Sequence, residues 1–367
     1  MTPEAPPRPT GRLSRFAGAD DRPVFIGACP RSGTTLLRTM LNAHPDLAIP
    51  RETRFLPVIW EARPRFGDLA EAANRRKLGR AIFRKGWTGA RRLGVDPAVG
   101  IERLVAAPPT LGSLLGTCFQ LYAETTGKSR WGDKRPMYAR YLDAIFAMFP
   151  DAQFINVVRD PRAAVASMRK LEWFDGDIAP AVELWERSLR AVEPWRRRLR
   201  ADQYVDIRYE DLVSDPAAAL DRVTGFLGLA SDGLDTMLSY HEAVDETATR
   251  YHWRLTQPPT TAAVRSWETA LAPGEIAFVE KVTGQLMDGF GYDRSRAGGP
   301  VPAELERRHA ACAADIARQR RELEREELKR LFIYRYPVRA QLTSGQRSGI
   351  RGPRMPPFWQ RHVGKPR

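Results

Sequence analysis

Cysteine is scarce in this chain. The 367 residues contain three, Cys29, Cys118 and Cys312, with no CxxC pair and no spacing suited to a metal ion. A disulfide framework and a cysteine metal site are thereby excluded, and an odd, sparse set points to reduced thiols and a cytoplasmic setting. No run of 18 apolar residues occurs, so no membrane-spanning helix is expected. The first residues hold prolines and arginines but no apolar stretch of signal-peptide type. No internal repeat is present. Acidic residues disappear from Tyr334 onward, where eight cations (Arg335, Arg339, Arg347, Arg351, Arg354, Arg361, Lys365 and Arg367) meet no Asp or Glu. That tail supplies +8 of the formal +14, so the pI near 10.1 does not by itself describe a binding site. With Pro, Gly and aromatic residues interleaved, the tail is not expected to pack as core. Either an anionic partner or plain solubility would account for it. Nothing in it presents arginines on a helix or sheet for sequence-specific nucleic-acid recognition.

What the chain does have is an ordinary globular composition, 43% hydrophobic and 28% charged, and length enough for one α/β domain with appendages. The informative segment is 23–56, PVFIGACPRSGTTLLRTMLNAHPDLAIPRETRFL. An apolar run (Val24–Ala28) enters a turn containing Pro30 and Gly33, and an apolar-periodic helix (Leu36, Leu37, Met40, Leu41) leaves it. Strand, small-residue turn and helix is how α/β proteins hold phosphates, because turn N–H groups and a helix N-terminus converge on an anion. A Walker A loop would need GxxxxGK[ST]. Here five residues instead of four separate Gly27 from Gly33, and Thr34 stands where the lysine belongs. Arg31 supplies the positive charge. The segment therefore points away from NTP hydrolysis and toward a different anion.

Alternating signals continue downstream. Residues 52–126 read as mostly helical, broken at Pro64, Gly86-Trp87, Pro97 and Pro108-Pro109. A short strand near Arg130–Gly132 leads to Asp133-Lys134 and a helix over 136–149. Gln153–Val158 is a continuous apolar strand suited to a buried parallel sheet. A helix over 161–174 follows with Pro161 at its first position. A long helix carrying Trp185 and Trp195 runs to about Leu199, then come a strand over 204–208 and a helical segment from Asp215-Pro216. Residues 241–262 have little periodicity and read as a lid over substrate or cofactor. A helix over 273–289 closes the domain. Residues 302–331 form a mixed-charge helix, expected to be solvated or self-paired.

The loop resembles the 5′-phosphosulfate loop of sulfotransferases that use 3′-phosphoadenosine 5′-phosphosulfate (PAPS), in particular the Pro-Arg-Ser-Gly-Thr-Thr branch that includes the tyrosylprotein sulfotransferases. Ala43-His44-Pro45 and Glu52-Thr53-Arg54 match that branch's downstream steps. The resemblance implies that Arg31, Ser32, Gly33, Thr34 and Thr35 hold the 5′ side of the cofactor. It implies that Arg159 and Ser167 hold the 3′-phosphate, with Arg162 either a neighbour of that site or a first-turn surface residue. Position 171 is Leu171 where the tyrosyl branch has a further arginine, although Arg169 and Lys170 lie close by. Tyr209, in Arg208-Tyr209-Glu210-Asp211-Leu212, resembles the step whose tyrosine touches the nucleotide, leaving Glu210 and Asp211 with structural roles.

For the chemistry, sulfuryl transfer needs a base for the acceptor proton and a cation for charge on the bridging oxygen; no metal is chemically required if lysine and arginine supply the latter. The resemblance implies Glu52 as the base, since its separation of 21 residues from Arg31 matches that of the branch's catalytic glutamate; pairing with Arg54 is its bland alternative and His44 its rival. The resemblance likewise implies Lys134, after the same short strand, as the cation, with an ion pair to Asp133 as its bland alternative. Arg31, Glu52 and Lys134 thus form the candidate catalytic group. Arg265-Ser266-Trp267 resembles a cofactor-covering segment, but Arg265 occupies the position of the branch's serine.

These motifs span about residues 23–293. They imply an α/β fold, a P-loop-like parallel sheet flanked by helices of sulfotransferase type, with a C-terminal helix and a basic tail. The expected divisions are a flexible lead-in (1–22), the sulfotransferase domain (23–293), the mixed-charge helix (294–333) and the basic tail (334–367). The implied partners are PAPS and a hydroxyl-bearing acceptor: a protein tyrosine, a sugar, or a small-molecule alcohol or phenol. Two other classes stay open. A P-loop kinase-like phosphoryl transferase would want the absent Walker lysine. A catalytically inactive binding protein on the same fold would want the base or the lysine lost.

Overall fold

A computed structural model of the chain describes residues 22–53, 55–84, 90–171, 174–243, 253–295 and 299–335. Arg54, Trp87, the middle of the expected lid (244–252) and all of the basic tail past Arg335 lie outside the described residues.

Five parallel strands make one sheet in the order β2-β3-β1-β4-β5. They are β1 (Val24–Ala28), β2 (Leu47–Ala48), β3 (Arg130–Lys134), β4 (Gln153–Val158) and β5 (Tyr204–Arg208). Every residue of β1, β3 and β4 is buried; β1 and β4 accordingly read as continuous apolar runs and not as alternating ones, whereas β3 buries the polar side chains of Arg130, Asp133 and Lys134. On one face, Val24, Ile26, Ile155, Val157 and Ile207 pack with Leu37, Met40 and Leu41 of helix α1 (Thr34–Ala43). On the other, Phe25, Trp131 and Phe154 join a core built by the helices between β2 and β4. Beyond the carboxyl end of β4, Val158 and helix α2 (Pro161–Met168) pack with α3 (Ala179–Arg196) and α4 (Pro273–Gly289).

The connections place the crevice. From β1 the chain turns toward β2 and β3 on one side, whereas from β4 it continues to β5 on the other, and β1 and β4 are direct neighbours. In open α/β sheets such a reversal opens a ligand crevice at the carboxyl ends of the two strands. The loops after β1 and β4, holding Arg31–Gly33 and Arg159-Asp160, both sit there.

Several elements differ from their sequence signals. The helix expected over 136–149 is a 3-10 turn (Pro136–Arg140) followed by a short α-helix (Leu142–Met148). The turn presses on β1: a Cβ at Gly27 would lie 2.7 Å from the Ala139 nitrogen. The helix expected to reach 174 stops at Met168, where a turn carries the chain to Leu171. Asp133 and Lys134 belong to β3 itself, and β2, with two residues, gave no sequence signal.

The mixed-charge helix α5 (Ala303–Arg335) is not simply solvated. Its first turns dock on the domain through Arg308 to Asp177, Glu306 to Lys281, and His309 3.6 Å from Glu186. Arg307–Glu304 and Arg318–Asp315 are the self-pairs. Within the expected lid, residues 253–256 and 261–263 are 3-10 turns. Among the described residues no helix is long and apolar enough to cross a membrane.

Candidate active site

The loop after β1 is shaped for an anion before any side chain is considered. Arg31 (φ 67°) and Gly33 (φ 91°) both take the left-handed region, which turns successive N–H groups toward one side. At position 33 only glycine fits, since an added Cβ would lie 2.4 Å from Cδ2 of Tyr209. Gly33 is also the N-cap of α1, with no capping side chain and no acidic residue in the first turn. Its first N–H groups thus face the crevice without a competing carboxylate. Ser32 is 1% exposed and its Oγ has no hydrogen-bond partner. A buried hydroxyl without a partner is costly unless something else supplies one.

The second set of residues meets the first. Arg31 Nε donates to Ser167 Oγ at 3.1 Å, and Arg159 Nη1 donates to the Arg31 carbonyl at 2.8 Å. Arg159 Nη2 reaches the Ala263 carbonyl at 2.8 Å, and its guanidinium lies 4.4 Å from the centre of the Tyr209 ring. Burial lowers the pKa of Arg159, yet its Nε has no partner. The residues read from sequence as separate 5′ and 3′ anion sites therefore line two edges of one crevice, joined through Arg31, with Tyr209 lying against both Gly33 and Arg159. Two buried polar atoms without partners, Ser32 Oγ and Arg159 Nε, and an N-terminus bare of side-chain caps fit a ligand with more than one anionic group.

Lys134 connects the crevice to the candidate base. Its Nζ donates to Glu52 Oε1 at 2.5 Å and to Thr35 Oγ1 at 3.1 Å. The lysine side chain is 3% exposed and the glutamate 43% exposed, so the pair lies at the crevice mouth with its cation inside. Burial depresses the Lys134 pKa, and Glu52 pulls it partly back.

Asp133 is not the ion-pair partner of Lys134. Consecutive strand residues point to opposite faces, so its carboxylate turns into the core, where it is 0% exposed. There it accepts from Tyr138 OH, from Thr53 Oγ1 at 3.2 Å and from the Lys134 backbone N–H at 2.9 Å. Burial raises its pKa to about 6, against the lowering effect of those three donors. Strand alternation signals this only when the strand is carried through Lys134 and not ended near Gly132.

His44, the rival base, is fully buried and occupied. Nδ1 accepts from the Asp46 N–H at 3.1 Å, which leaves Nε2 to donate to the Ala230 carbonyl at 3.0 Å. Arg162 is no surface residue: it pairs with Asp160 at 2.6 Å and Glu280 at 2.7 Å and lies 4.0 Å from the Trp267 ring centre. Arg169 pairs with Glu275 at 3.1 Å, away from the crevice residues. Glu210 accepts from the Asp160 N–H at 3.0 Å and from Tyr292 OH at 2.7 Å, tying β4, β5 and the end of the domain together. In the covering segment Arg265 is 78% exposed and pairs with Glu268, while Ser266 Oγ donates to the Ala263 carbonyl at 3.1 Å. Arg92, which sequence reasoning did not single out, donates to the Glu52 carbonyl at 3.2 Å. Among the described residues no group of His, Cys, Asp and Glu is arranged to hold a metal ion.

Comparisons with known proteins agree on one family. Residues 23–233 match the model of the "Sulfotransferase family". The "Protein-tyrosine sulfotransferase" of Drosophila melanogaster is 25% identical over 269 residues, covering 72% of this chain and 47% of that protein, so the chain spans about half the length of that relative. The "Protein-tyrosine sulfotransferase 2" of Gallus gallus is 23% identical over 311 residues, covering 80% of this chain and 76% of that one. Among solved structures, the "Sulfotransferase Domain from the Synechococcus PCC 7002 Olefin Synthase" superposes with a TM-score of 0.53 at 27% identity, covering 75% of this chain and 98% of that one.

Proposed function

The chain belongs to the sulfotransferase family, matched over residues 23–233, and on that premise we propose that it moves a sulfuryl group from PAPS to an acceptor hydroxyl, a protein tyrosine foremost. One observation carries this: a single buried ammonium, Lys134, is held between Thr35 of the anion loop and Glu52 at the crevice mouth. That arrangement supports a role for the cation where donor and acceptor would meet.

PAPS supplies the sulfuryl group. The rest is done by the chain's own residues. The N–H groups of the Arg31–Thr35 turn, the hydroxyls of Ser32 and Thr34, and the guanidinium of Arg31 bind the 5′ side. Arg159 and Ser167 bind the 3′-phosphate, and Tyr209 lies against the nucleotide. Glu52 accepts the acceptor's proton as its oxygen attacks. Lys134 stabilises the negative charge that develops on the donor side, in a position where burial makes that interaction stronger than it would be in water.

The tyrosine acceptor rests on the names of the relatives in fly and chicken. Its phenol would approach Glu52 from the open side.

Thermal shift with adenosine 3′,5′-bisphosphate in EDTA, against ATP with Mg²⁺, tests the donor side. Stabilisation by the bisphosphate alone is the expected result; preference for ATP·Mg would overturn it. Competing a tyrosine peptide against a sugar and a simple alcohol tests the acceptor. Sulfation of the alcohol or sugar but not the peptide would remove the tyrosine assignment and leave the donor standing.

A further inference from the structure

Glu52 has no secondary structure to hold it. It lies in the irregular stretch 49–53 between β2 and the next helix, and its side chain is 43% exposed. A base in such a place loses much of its effect unless something fixes its approach, because displacement by about 1 Å can cost about a hundredfold in rate. What is fixed is its neighbour. Thr53 is 0% exposed, its Oγ1 donates to Asp133 Oδ2 at 3.2 Å, and its carbonyl accepts from Arg135 Nη1 at 2.7 Å. The other oxygen of the same carboxylate, Asp133 Oδ1, accepts the backbone N–H of Lys134 at 2.9 Å. Tyr138, buried in contact with Phe25 (ring centres 5.7 Å apart), donates its hydroxyl to Asp133 Oδ2 and steadies the carboxylate from below.

We propose that Asp133 is the positioning residue of the Glu52–Lys134 pair: its two oxygens hold the residue after Glu52 and the backbone of Lys134, setting the two side chains against each other across the crevice. Asp133 does not touch the crevice itself. Its effect passes through Thr53 on one side and through the peptide N–H of Lys134 on the other. A site needing only packing under β3 has no use for a fully buried carboxylate, which is costly to desolvate.

This inference rests on Glu52 and Lys134 acting in transfer, so the experiment separates the two. Thr53→Val removes the one hydroxyl at nearly constant volume, and Thr53→Ser keeps it. Asp133→Asn keeps the acceptor for the Lys134 N–H and alters the bond to Thr53 from the other end, which serves if Thr53→Val fails to fold. Steady-state kcat, the KM for PAPS and the affinity for adenosine 3′,5′-bisphosphate are measured for each, with Glu52→Gln as reference. The expected result is a kcat about ten- to a hundredfold lower in Thr53→Val, with PAPS KM and bisphosphate affinity unchanged and kcat restored in Thr53→Ser. The double variant Thr53→Val/Asp133→Asn should be no slower than the slower single, since both break one link. Wild-type kcat in Thr53→Val and Asp133→Asn, while Glu52→Gln is inactive, would overturn the positioning role alone. A parallel loss of bisphosphate affinity, or additive losses in the double variant, would also overturn it. A fully active Glu52→Gln would instead overturn the assignment of the base.

Discussion

Replacing Lys134 with Met keeps the length of the side chain and removes the ammonium. The structure separates its consequences for catalysis from those for folding. Lys134 is nearly buried, but its partner Glu52 is 43% exposed, so the stranded carboxylate can rehydrate through the crevice mouth. The cost to stability is then that of a half-exposed pair, roughly 0–1 kcal/mol, partly offset because a desolvated cation is no longer buried. Thr35 keeps its place through the helix. Turnover should suffer far more, since a preorganised donor aimed at developing charge contributes about 10²–10³ in rate. The assay is a coupled measurement of adenosine 3′,5′-bisphosphate release, together with thermal unfolding and a binding isotherm for the bisphosphate. Expected are a kcat lower by about 10²–10³ and a nearly unchanged melting temperature, with bisphosphate affinity held within a few-fold. A kcat within a few-fold of wild type would refute the reasoning, as would a loss of turnover fully matched by lost binding.

Other outcomes follow from the same geometry. Arg159→Ala should weaken adenosine 3′,5′-bisphosphate by about tenfold or more, the worth of a charged hydrogen bond, and leave adenosine 5′-monophosphate little affected; equal losses for both, by calorimetry, would place the 3′-phosphate elsewhere. Glu52→Gln should keep bisphosphate affinity and lose about 10²–10⁴ in kcat, whereas normal turnover across the pH range would move the base. Asp133, with its pKa raised from 3.8 to about 6 by burial, binds more protons folded than unfolded between those values. Its contribution to stability is therefore fully present below about pH 4 and lost as pH rises through 6. The stability of wild type relative to Asp133→Asn, from urea unfolding, should fall by about 3 kcal/mol over that window; a flat or rising difference would show the carboxylate to be less confined.

The crevice was legible where local sequence decides local structure. VFIGA and QFINVV read as strands of a buried parallel sheet, and a turn with Pro30 and Gly33 opening an apolar-periodic helix marks the candidate anion loop. The parts that sequence did not yield depend on long-range contacts. Arg31 meets Ser167 across 136 residues of chain, so the two phosphate sites read as separate. Sequence alone leaves Arg162 between a phosphate neighbour and a surface residue because its partner Glu280 lies 118 residues away and the Trp267 ring that faces it is also remote in the chain. The docking of α5 likewise depends on Asp177 and Lys281, which no periodicity within the helix reveals. Asp133 was a different case. The sequence signal for the strand ends near Gly132, so an ion pair between adjacent residues stays open, whereas β3 runs through Lys134 and its two-residue period sends the two side chains to opposite faces.

The most direct test is transfer itself. The full chain is incubated with radiosulfur-labelled PAPS and a tyrosine peptide, beside the same peptide with phenylalanine at the tyrosine. Label on the tyrosine peptide alone, matched mole for mole by released adenosine 3′,5′-bisphosphate and absent with Glu52→Gln, is the expected result. Tight binding of the bisphosphate with no label passed to any tyrosine, sugar or alcohol would contradict it and leave a binding protein on a sulfotransferase fold.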